Sequence, residues 1–343
     1  MNIIVLTGGV SSERNVALAS GKAIVKGLRE SGHNVKAVDP IYGELQPEEE
    51  NIFNVKPSIG KEFPTADELK TYSNKKVIEC INSKLFDDID IVFLGLHGKF
   101  GEDGKIQSLL EMRGVNYTGC GVTSSAMAMD KNISKIMFEH FGIPTPSWFM
   151  IRKGNYSFNH IDEKVHAEIG YPAVIKPNDE GSTVGLSIVQ PDVEDVQLTD
   201  ALELAFKYTD SVMIEQFIPG RELTVAILGD EALPVVEIKP KDGFYDYEHK
   251  YTSGRTEYFC PAELPEDIAL EIQNLALTAH NALGCKVYSR VDFRLNTENK
   301  FYCLEVNTLP GMTELSLVPK GALARGISFK ELLNRIIELS LKQ

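Results

Sequence analysis

Apolar and polar stretches alternate in the first third of the chain in the way expected of strands and helices. The runs NIIVLTGG, NVKAVDP and IDIVFLGLHG are short and apolar, and an amphipathic stretch from Val16 to Leu28 follows the first of them. Short apolar strands that alternate with amphipathic helices are typical of a parallel sheet with helices on its faces. This part of the chain therefore predicts an α/β unit.

A second unit is predicted from about residue 119. The run MDKNISKIMFEHFGIPTP carries apolar residues at helical spacing and ends at Gly142 and Pro144, which are helix stop signals. The strand YPAVIKP, the glycine-rich loop NDEGSTVG and the return strand LSIVQP follow it. This pattern predicts a second mixed unit, in which a loop rich in glycine joins two strands.

The rest of the chain is predicted to be rich in strands. The runs SVMIEQFI, GRELTVAILGD and ALPVVEIKP follow one another closely from residue 211, and a polar loop then extends to about residue 261. A loop of that length in a compact domain is typical of a lid or a binding loop. Helices are predicted over 265–283 and 328–341, whereas the polar stretch 44–76 is expected to be a surface excursion.

Two strands of one hairpin, RVDFRLNTENKFYCLEVN at 290–307, carry polar residues among apolar ones. Because successive side chains of a strand point to opposite faces, Arg290 and Asp292 share one face, and Glu305 and Asn307 share a face of the second strand. A four-residue loop at 297–300 would place Asp292 opposite Glu305 and Arg290 opposite Asn307. The sequence thus predicts two facing carboxylates.

Facing carboxylates are destabilising unless something balances their charge, and a divalent cation reverses the sign of the interaction. Oxygen ligands without cysteine or histidine suit Mg²⁺ or Mn²⁺, and Mg²⁺ usually takes few protein ligands beside water and substrate phosphates. If only the two carboxylates are considered, a half-exposed hairpin with its charges in solvent is a better explanation than a metal site. Four polar groups at one end of one face, leading into NTLPGMT, favour a metal site.

Composition excludes several classes of protein. The chain has 343 residues, 43% hydrophobic and 24% charged, which predicts a globular protein of two or three domains. A formal net charge of −14 without a long basic run disfavours binding to nucleic acid. Five cysteines without a CxxC motif argue against a disulfide framework and fit a reducing cytoplasm. No apolar run is long enough for a membrane span, and MNIIVLTGG is expected to be a buried strand rather than a signal peptide.

Lysines and a glycine-rich loop suggest a site for phosphates. Lys176 ends a strand just before NDEGSTVG, whose glycines allow backbone N–H groups to approach an anion, and Lys131 begins a predicted helix. The loop is not a Walker motif, and alone it is a weak signal. The edge of the next strand, near Gln216 to Ile218, offers backbone contacts to adenine. Glu222 is a candidate for the ribose, although an exposed strand carboxylate explains that residue better.

Three further positions have both a functional and a structural explanation. Glu13 lies in the first turn of a predicted helix, where helix-end electrostatics already accounts for an acid, and the alternative is an anchor for an ammonium group. His97 follows a buried strand, at the edge where open α/β sheets bind ligands, and a hydrogen-bonded loop histidine is an equal alternative. Lys250 and Tyr251 lie in the polar loop and either reach a closed site or are exposed.

Taken in order, these motifs resemble the D-alanine:D-alanine ligases of the ATP-grasp superfamily over nearly the whole chain. The motifs that carry the resemblance are HGKFGEDG, YTGCGVTSSAMAMDK, KPNDEGSTVG, FYDYEHKY, RVDFRL and LEVNTLPGMTELSLVP. The resemblance implies an α/β fold with α+β elements in three parts. These are a Rossmann-like domain at 1–119, a central ATP-grasp subdomain at 120–214 and a C-terminal catalytic subdomain at 215–343 with a lid near 240–260.

The resemblance also implies the site residues. Those that would hold two Mg²⁺ or Mn²⁺ ions on ATP are Asp292, Glu305 and Asn307. Those that would bind the nucleotide are Lys131, Lys176, Gly181, Ser182, Thr183, Glu215, Gln216, Ile218, Glu222, Lys250 and Asn307. Those that would bind the two D-alanines are Glu13, His97, Lys250, Arg290, Gly311, Ser316 and Leu317. Those implied in catalysis are Glu13, Ser182, Tyr251, Arg290, Gly311 and Ser316.

By the same resemblance, the expected activity is ATP-dependent formation of D-alanyl-D-alanine through a D-alanyl phosphate for peptidoglycan synthesis, by a cytoplasmic homodimer. A D-lactate or D-serine ligase and a catalytically silent nucleotide-binding regulator are the alternatives, and Tyr251 argues against D-lactate. A dinucleotide-binding oxidoreductase is disfavoured, because no G-x-G-x-x-G follows the first strand. The sequence departs from many relatives at Gln216, at Leu315 and in the long stretch 44–76.

Overall fold

The N-terminal part of the chain folds around a small parallel sheet. The computed structural model describes residues 1–54, 73–190, 196–241 and 256–343. Strands β1 (Asn2–Leu6), β2 (Asn34–Val38) and β3 (Ile91–Leu94) lie in the order β2-β1-β3 and are parallel. Helix α1 (Arg14–Glu30) packs against this sheet through its apolar face. The predicted α/β pattern is confirmed here.

The second sheet is antiparallel. It contains β4 (Trp148–Arg152), β5 (Ala173–Pro177), β6 (Ser187–Val189) and β7 (Ser211–Gln216) in the order β4-β7-β5-β6. The loop of residues 178–185, which we call the phosphate loop, begins directly after β5. Because β5 and β7 are antiparallel, the end of β5 lies beside the start of β7, where Pro177 pairs with Val212.

The third sheet carries the hairpin singled out above. Its strands are β8 (Arg221–Leu228), β9 (Glu231–Ala232), β10 (Val236–Pro240), β11 (Thr256–Phe259), β12 (Tyr288–Leu295) and β13 (Phe301–Asn307). The order is β11-β10-β8-β12-β13, with β9 paired to β8, and the pairs are antiparallel. Since β12 lies between β8 and β13, its side chains are flanked on both sides.

Among the residues that the structure describes, ten further α-helices cover these sheets or join them. They are α2 (Glu49–Phe53), α3 (Asn74–Asn82), α4 (Lys105–Arg113), α5 (Val122–Met129), α6 (Lys131–His140), α7 (Phe158–Lys164), α8 (Val196–Ala205), α9 (Glu266–Ala282), α10 (Leu317–Ala324) and α11 (Phe329–Ser340). The helices predicted over 265–283 and 328–341 correspond to α9 and α11. In the described part of the chain, no helix is both long enough and apolar enough to cross a bilayer.

Packing does not follow the chain order strictly. The buried cluster around the first sheet includes Leu333 and Ile337 of α11, so the last helix packs against α1. Ala128 of α5 and Phe138 of α6 belong to the cluster of the third sheet. The expected boundary between residues 214 and 215 falls inside β7, because that whole strand is hydrogen-bonded into the second sheet. The division into three domains remains a prediction.

The hairpin has the predicted pairing at its functional end and a different loop. Asp292 faces Glu305 and Arg290 faces Asn307, as predicted. The loop has five residues, 296–300, rather than the predicted four, and the register shifts between Asp292 and Phe293. The shift is a bulge at Leu304, the extra residue of β13. Leu304 is half-buried, unlike the buried Val306 with which the strict alternation grouped it.

Candidate active site

The carboxylate of Asp292 accepts hydrogen bonds from three neighbouring side chains. Arg290 donates from Nε at 2.9 Å and from Nη2 at 2.7 Å, and Asn307 Nδ2 donates at 3.0 Å. Thr224 of β8 donates its hydroxyl at 2.5 Å. Three strands of one sheet thus hold this carboxylate, and the sequence pattern identified partners on only two of them. Thr224 lies opposite Asp292 on the neighbouring strand β8, and this cross-strand position is the signal that would have identified it.

Lys131 connects the hairpin to the phosphate loop. Its side chain is almost fully buried at the start of α6, and its Nζ lies 3.6 Å from Glu305 Oε2. The same ammonium group donates a hydrogen bond to the backbone carbonyl of Glu180. A cation therefore lies between one of the facing carboxylates and the phosphate loop, which is the arrangement expected at a polyphosphate site.

A buried carboxylate, Glu215, lies between two lysines on the second sheet. Its Oε2 accepts a hydrogen bond from Lys176 Nζ at 2.6 Å, and its Oε1 makes an ionic contact with Lys135 Nζ at 2.7 Å. Burial by itself would raise the pKa of Glu215, but the charges of Lys135 and Lys176 outweigh it and hold this pKa below its usual value. The trio carries a net positive charge on the face of β5 and β7.

The strand edge proposed for a nucleoside is only partly free. Gln216 N donates to the carbonyl of Ser147 at 2.9 Å, and the carbonyl of Ile218 accepts from Arg294 Nε at 3.0 Å. Glu222 is half-buried and its Oε2 lies 3.3 Å from Arg294 Nη1. Glu222 is therefore paired with an arginine rather than simply exposed on a strand.

The phosphate loop is folded so that it reaches the N-terminal unit. Ser182 and Thr183 adopt positive φ angles of 48° and 61°, and Val184 N donates to the carbonyl of Gly181 at 3.0 Å. This conformation brings the hydroxyl of Ser182 into a hydrogen bond with Glu13 Oε1. Residues 169 positions apart in the chain thus meet at this point.

Glu13 does not serve as a helix cap through its side chain. It occupies the N-cap position of α1 without a side-chain capping bond, and its backbone N–H donates to Ser11 Oγ at 3.0 Å. Its carboxylate lies between two glycines, since a Cβ built on Gly98 would be 2.8 Å from Glu13 Oε2 and one on Gly181 would be 2.6 Å from it. The structure therefore directs the carboxylate to the junction of two loops, where an ammonium anchor was predicted.

His97 holds the C-terminal segment to α1. Its Nε2 is 2.9 Å from Ser20 Oγ and its Nδ1 is 2.8 Å from the carbonyl of Leu309. The Met312 N–H also donates to Ser20 Oγ, at 3.2 Å. Both ring nitrogens are engaged within the protein, so the geometry agrees with the loop-histidine alternative.

The segment after β13 brings the remaining predicted residues together. Ser316 is the N-cap residue of α10, and its hydroxyl accepts from Thr313 N at 3.0 Å. A Cβ on Gly311 would lie 3.2 Å from Ser316 Oγ, so Gly311 and Ser316 are neighbours, and Leu317 begins the helix. Leu315 is 78% exposed beside them.

The predicted lid residues Lys250 and Tyr251 lie outside the described residues. Within the part that is described, no group of three or more histidine, cysteine, aspartate or glutamate side chains is arranged to hold a metal ion. Asp292 and Glu305 form a pair of acids, and Asn307 adds an amide. Oxygen donors of this kind on adjacent strands fit Mg²⁺ when a substrate supplies further oxygens.

Four residues that the sequence reasoning did not assign lie in this region. They are Lys99, Lys135, Glu180 and Thr224. The side chain of Lys135 is fully buried, and its Nζ donates to Thr145 Oγ1 at 2.6 Å and to the carbonyl of Pro146 at 2.9 Å. Burial lowers the pKa of Lys135 to about 8, against the opposing charge of Glu215.

Family models match both parts of the chain. Residues 2–120 match the model described as "D-ala D-ala ligase N-terminus", and residues 137–338 match "D-ala D-ala ligase C-terminus". Two curated D-alanine–D-alanine ligases illustrate the similarity. The protein from Syntrophotalea carbinolica is 42% identical over 98% of this chain and 94% of the relative. The one from Halalkalibacterium halodurans is 40% identical over the full length of both.

Solved structures are similar over the whole chain. The D-alanine–D-alanine ligase from Bacillus anthracis complexed with ATP is 33% identical with a TM-score of 0.76, over 100% of this chain and 98% of that one. The VanG D-Ala:D-Ser ligase from Enterococcus faecalis is 30% identical with a TM-score of 0.78, over 99% of both chains. Similarity of fold alone does not separate the two second substrates.

Proposed function

This chain belongs to the D-alanine–D-alanine ligase family, and we propose that it uses ATP to join two D-alanines into D-alanyl-D-alanine for peptidoglycan synthesis. The observation that carries the proposal is the position of Lys131. Its ammonium group lies 3.6 Å from Glu305, which faces Asp292, and it also contacts the phosphate loop. A cation between paired carboxylates and a glycine-rich loop suits phosphoryl transfer from ATP.

The nucleotide is proposed to lie between the second and third sheets. Lys131, Lys176 and residues 181–183 would contact its phosphates, and the edge formed by Glu215, Gln216, Ile218 and Glu222 would contact the nucleoside. Asp292, Glu305 and Asn307 would hold two Mg²⁺ or Mn²⁺ ions, which supply positive charge to the triphosphate. The ionic contacts of Lys131 with Glu305 and of Lys176 with Glu215 support this arrangement, because they hold both ammonium groups at the proposed site.

The first D-alanine is proposed to bind at Glu13. The carboxylate of Glu13, held by Ser182 and flanked by Gly98 and Gly181, is a suitable partner for its ammonium group. His97 would act through the segment that it fixes, since it bonds the carbonyl of Leu309. Tyr251 would complete a hydrogen-bonded trio with Glu13 and Ser182 by analogy with the family.

The second D-alanine is proposed to bind near the start of α10. Ser316 and Leu317 would contact it, together with Lys250 of the lid. Arg290 and the N–H of Gly311 would donate to the oxyanion that forms when the amine attacks. The proximity of Gly311 to Ser316 supports a shared pocket.

The reaction requires an activated carboxylate. An oxygen of the first D-alanine's carboxylate attacks the γ-phosphorus of ATP, the bond to the β-bridging oxygen breaks, and ADP leaves with D-alanyl phosphate remaining. The free amine of the second D-alanine then attacks the acyl carbon, loses a proton to a base, and phosphate departs. Lysines that spread the developing negative charge and donors at the oxyanion lower the two barriers.

The decisive experiment measures ADP release with one amino acid at a time. D-alanine should support turnover, whereas L-alanine and glycine should not, and the product should be the dipeptide. Offering D-alanine together with D-serine or D-lactate tests the alternative second substrates by product analysis. Absence of ADP release that depends on D-alanine would contradict the proposal and favour a silent nucleotide-binding protein.

We also propose a cytoplasmic homodimer. The five cysteines are free, which fits a reducing compartment. The dimer rests on resemblance to the family, and sedimentation equilibrium should give twice the mass of one chain.

A further inference from the structure

Lys99 links the loop after β3 to the phosphate loop through several polar contacts. Its Nζ lies 2.7 Å from Glu180 Oε1 and 3.2 Å from Asp179 Oδ2. It also donates to the carbonyl of Tyr208 at 3.3 Å. A residue of the first sheet's unit therefore directs its ammonium group at acceptors of the second sheet's unit.

The carboxylate of Glu180 depends on this lysine. Its side chain is 5% exposed and that of Lys99 is 27% exposed, while Ser12 Oγ adds only a long contact at 3.4 Å. Burial raises the pKa of Glu180, and the charge of Lys99, with a smaller contribution from Lys131, opposes that shift. Removing one partner of a buried ion pair is costly, because the other charge remains buried without compensation.

Lys99 and Glu180 are each the sequence neighbour of a glycine that lies against the Glu13 carboxylate. Gly98 precedes Lys99 and Gly181 follows Glu180, and these two glycines flank the Glu13 carboxylate from opposite loops. The distance between the loops therefore determines the space around Glu13. The bond from Ser182 to Glu13 crosses the same junction.

We propose that Lys99 is a positioning residue for the first amino acid substrate. By pairing with Asp179 and Glu180, it holds the phosphate loop against the loop after β3 and keeps Glu13 in the geometry that receives the substrate's ammonium group. This inference rests on the proposed function and assigns no contact between Lys99 and the substrate.

The test is a set of kinetic measurements over a wide range of D-alanine concentration, which yields separate constants for the two substrate sites. Lys99→Met should raise KM for the first D-alanine about tenfold, a coupling typical of paired residues, while kcat falls less than about threefold. Lys99→Arg should recover most of the loss, because it keeps the charge. A general loss of packing would not produce this division between KM and kcat.

Lys105→Met is the matched control. Lys105, the first residue of α4, pairs with the nearby Asp103 at 2.6 Å and is 58% exposed, so its loss should change KM by less than about twofold. Asp179→Asn provides a second variant in case Lys99→Met does not fold, since Asp179 is 42% exposed. It should raise KM for the first D-alanine by about threefold and add little further to Lys99→Met.

Several results would overturn the inference. These are an unchanged KM in Lys99→Met or, if that variant does not fold, in Asp179→Asn; an equal rise in Lys105→Met; and a lack of recovery in Lys99→Arg. A wild-type protein that releases no ADP with D-alanine would overturn the proposed function and this inference together. Active wild-type protein with insensitive variants would overturn the inference alone.

Discussion

Single residues of this chain hold charge in places where water is scarce. Lys135, Lys176 and Glu215 are all buried, and the carboxylate between the two ammonium groups offsets part of the cost of removing them from water. Because Lys135 also bonds Thr145, whose hydroxyl donates to the carbonyl of Cys303, this group lies close to the strand that carries Glu305. Hydrogen bonds through Thr145 therefore connect the buried Lys135 of the proposed nucleotide site to β13, the strand that carries the proposed metal ligand Glu305.

Glu305→Gln tests the proposed metal site at the residue level. Loss of one carboxylate should lower kcat by at least about 10²-fold, because metal ions contribute several kcal/mol of charge stabilisation in phosphoryl transfer. Rates are measured as a function of Mg²⁺ concentration, and circular dichroism checks the fold. Glu298→Gln is the control, since Glu298 lies in the loop of the same hairpin with its side chain 68% exposed. Full activity in a folded Glu305→Gln protein would contradict the assignment.

His280 should make stability depend on pH. It is 2% exposed in α9, its Nδ1 lies 2.7 Å from Ser289 Oγ, and burial lowers its pKa from 6.5 to about 4. Between pH 6.5 and about 4, His280 is protonated in the unfolded chain but neutral in the folded protein. The contribution of the neutral His280 to the free energy of unfolding is therefore complete above pH 6.5 and is lost as pH falls toward 4. The loss is on the order of 3 kcal/mol of unfolding free energy.

The measurement compares urea unfolding of the wild type and His280→Asn from pH 8.5 to 4.5. Asparagine can keep the bond to Ser289 without titrating, so the wild type should lose its advantage only at the acidic end. Between pH 7.5 and 8.5 the difference should stay constant, which serves as the control. A difference independent of pH throughout would contradict the prediction.

At the level of elements, the register of the β12–β13 hairpin depends on a bulge. Near the loop, Phe293 pairs with Cys303, a register that would place Asp292 opposite Leu304 if it continued. The extra residue at Leu304 restores the pairing of Asp292 with Glu305. The sequence prediction reached this pairing from a loop one residue too short, because alternation along a strand does not reveal a bulge.

The turn before β8 is packed directly against the end of β12. Gly220 has a φ of +134°, and a Cβ there would overlap the carbonyl oxygen of Leu295, which is backbone and unable to rotate away. Gly220→Ala should therefore lower the free energy of unfolding by about 3 kcal/mol or more. Denaturant unfolding measures the change.

Gly284→Ala separates steric overlap from backbone strain. Gly284 has a φ of +64° with no neighbour within 4 Å of the added Cβ, so only about 1–2 kcal/mol is expected. Equal costs at both positions would show that the close approach of Gly220 to β12 is unimportant.

In the whole molecule, the two ends of the chain meet. Helix α11 packs against α1, and His97 bonds Leu309 across 212 positions of sequence. The proposed site takes Glu13 from the first sheet's unit, Lys176 from the second sheet and Glu305 from the third. A ligand that contacts all three of these parts should therefore raise the free energy of unfolding of the whole molecule.

Thermal unfolding with nucleotide tests this expectation. ATP with Mg²⁺ at 100 times its Kd should add about 2.7 kcal/mol to the free energy of unfolding. Mg²⁺ alone and ATP with EDTA are the controls and should add less. In Glu305→Gln the increment that depends on Mg²⁺ should disappear, and its persistence would contradict the proposed metal ligands.

The order of residues by itself predicted the strands of the first sheet, the helices α1, α9 and α11, the β12–β13 hairpin and the family, because periodicity, stop signals and motifs are local. Tertiary structure alone decided the bulge at Leu304, the assignment of β7 to the second sheet, and the pairing of Lys99 with Glu180 and of Lys135 with Glu215. These contacts join residues far apart in the chain. They depend on how the sheets pack and on where burial makes an unpaired charge too costly, which no local pattern encodes.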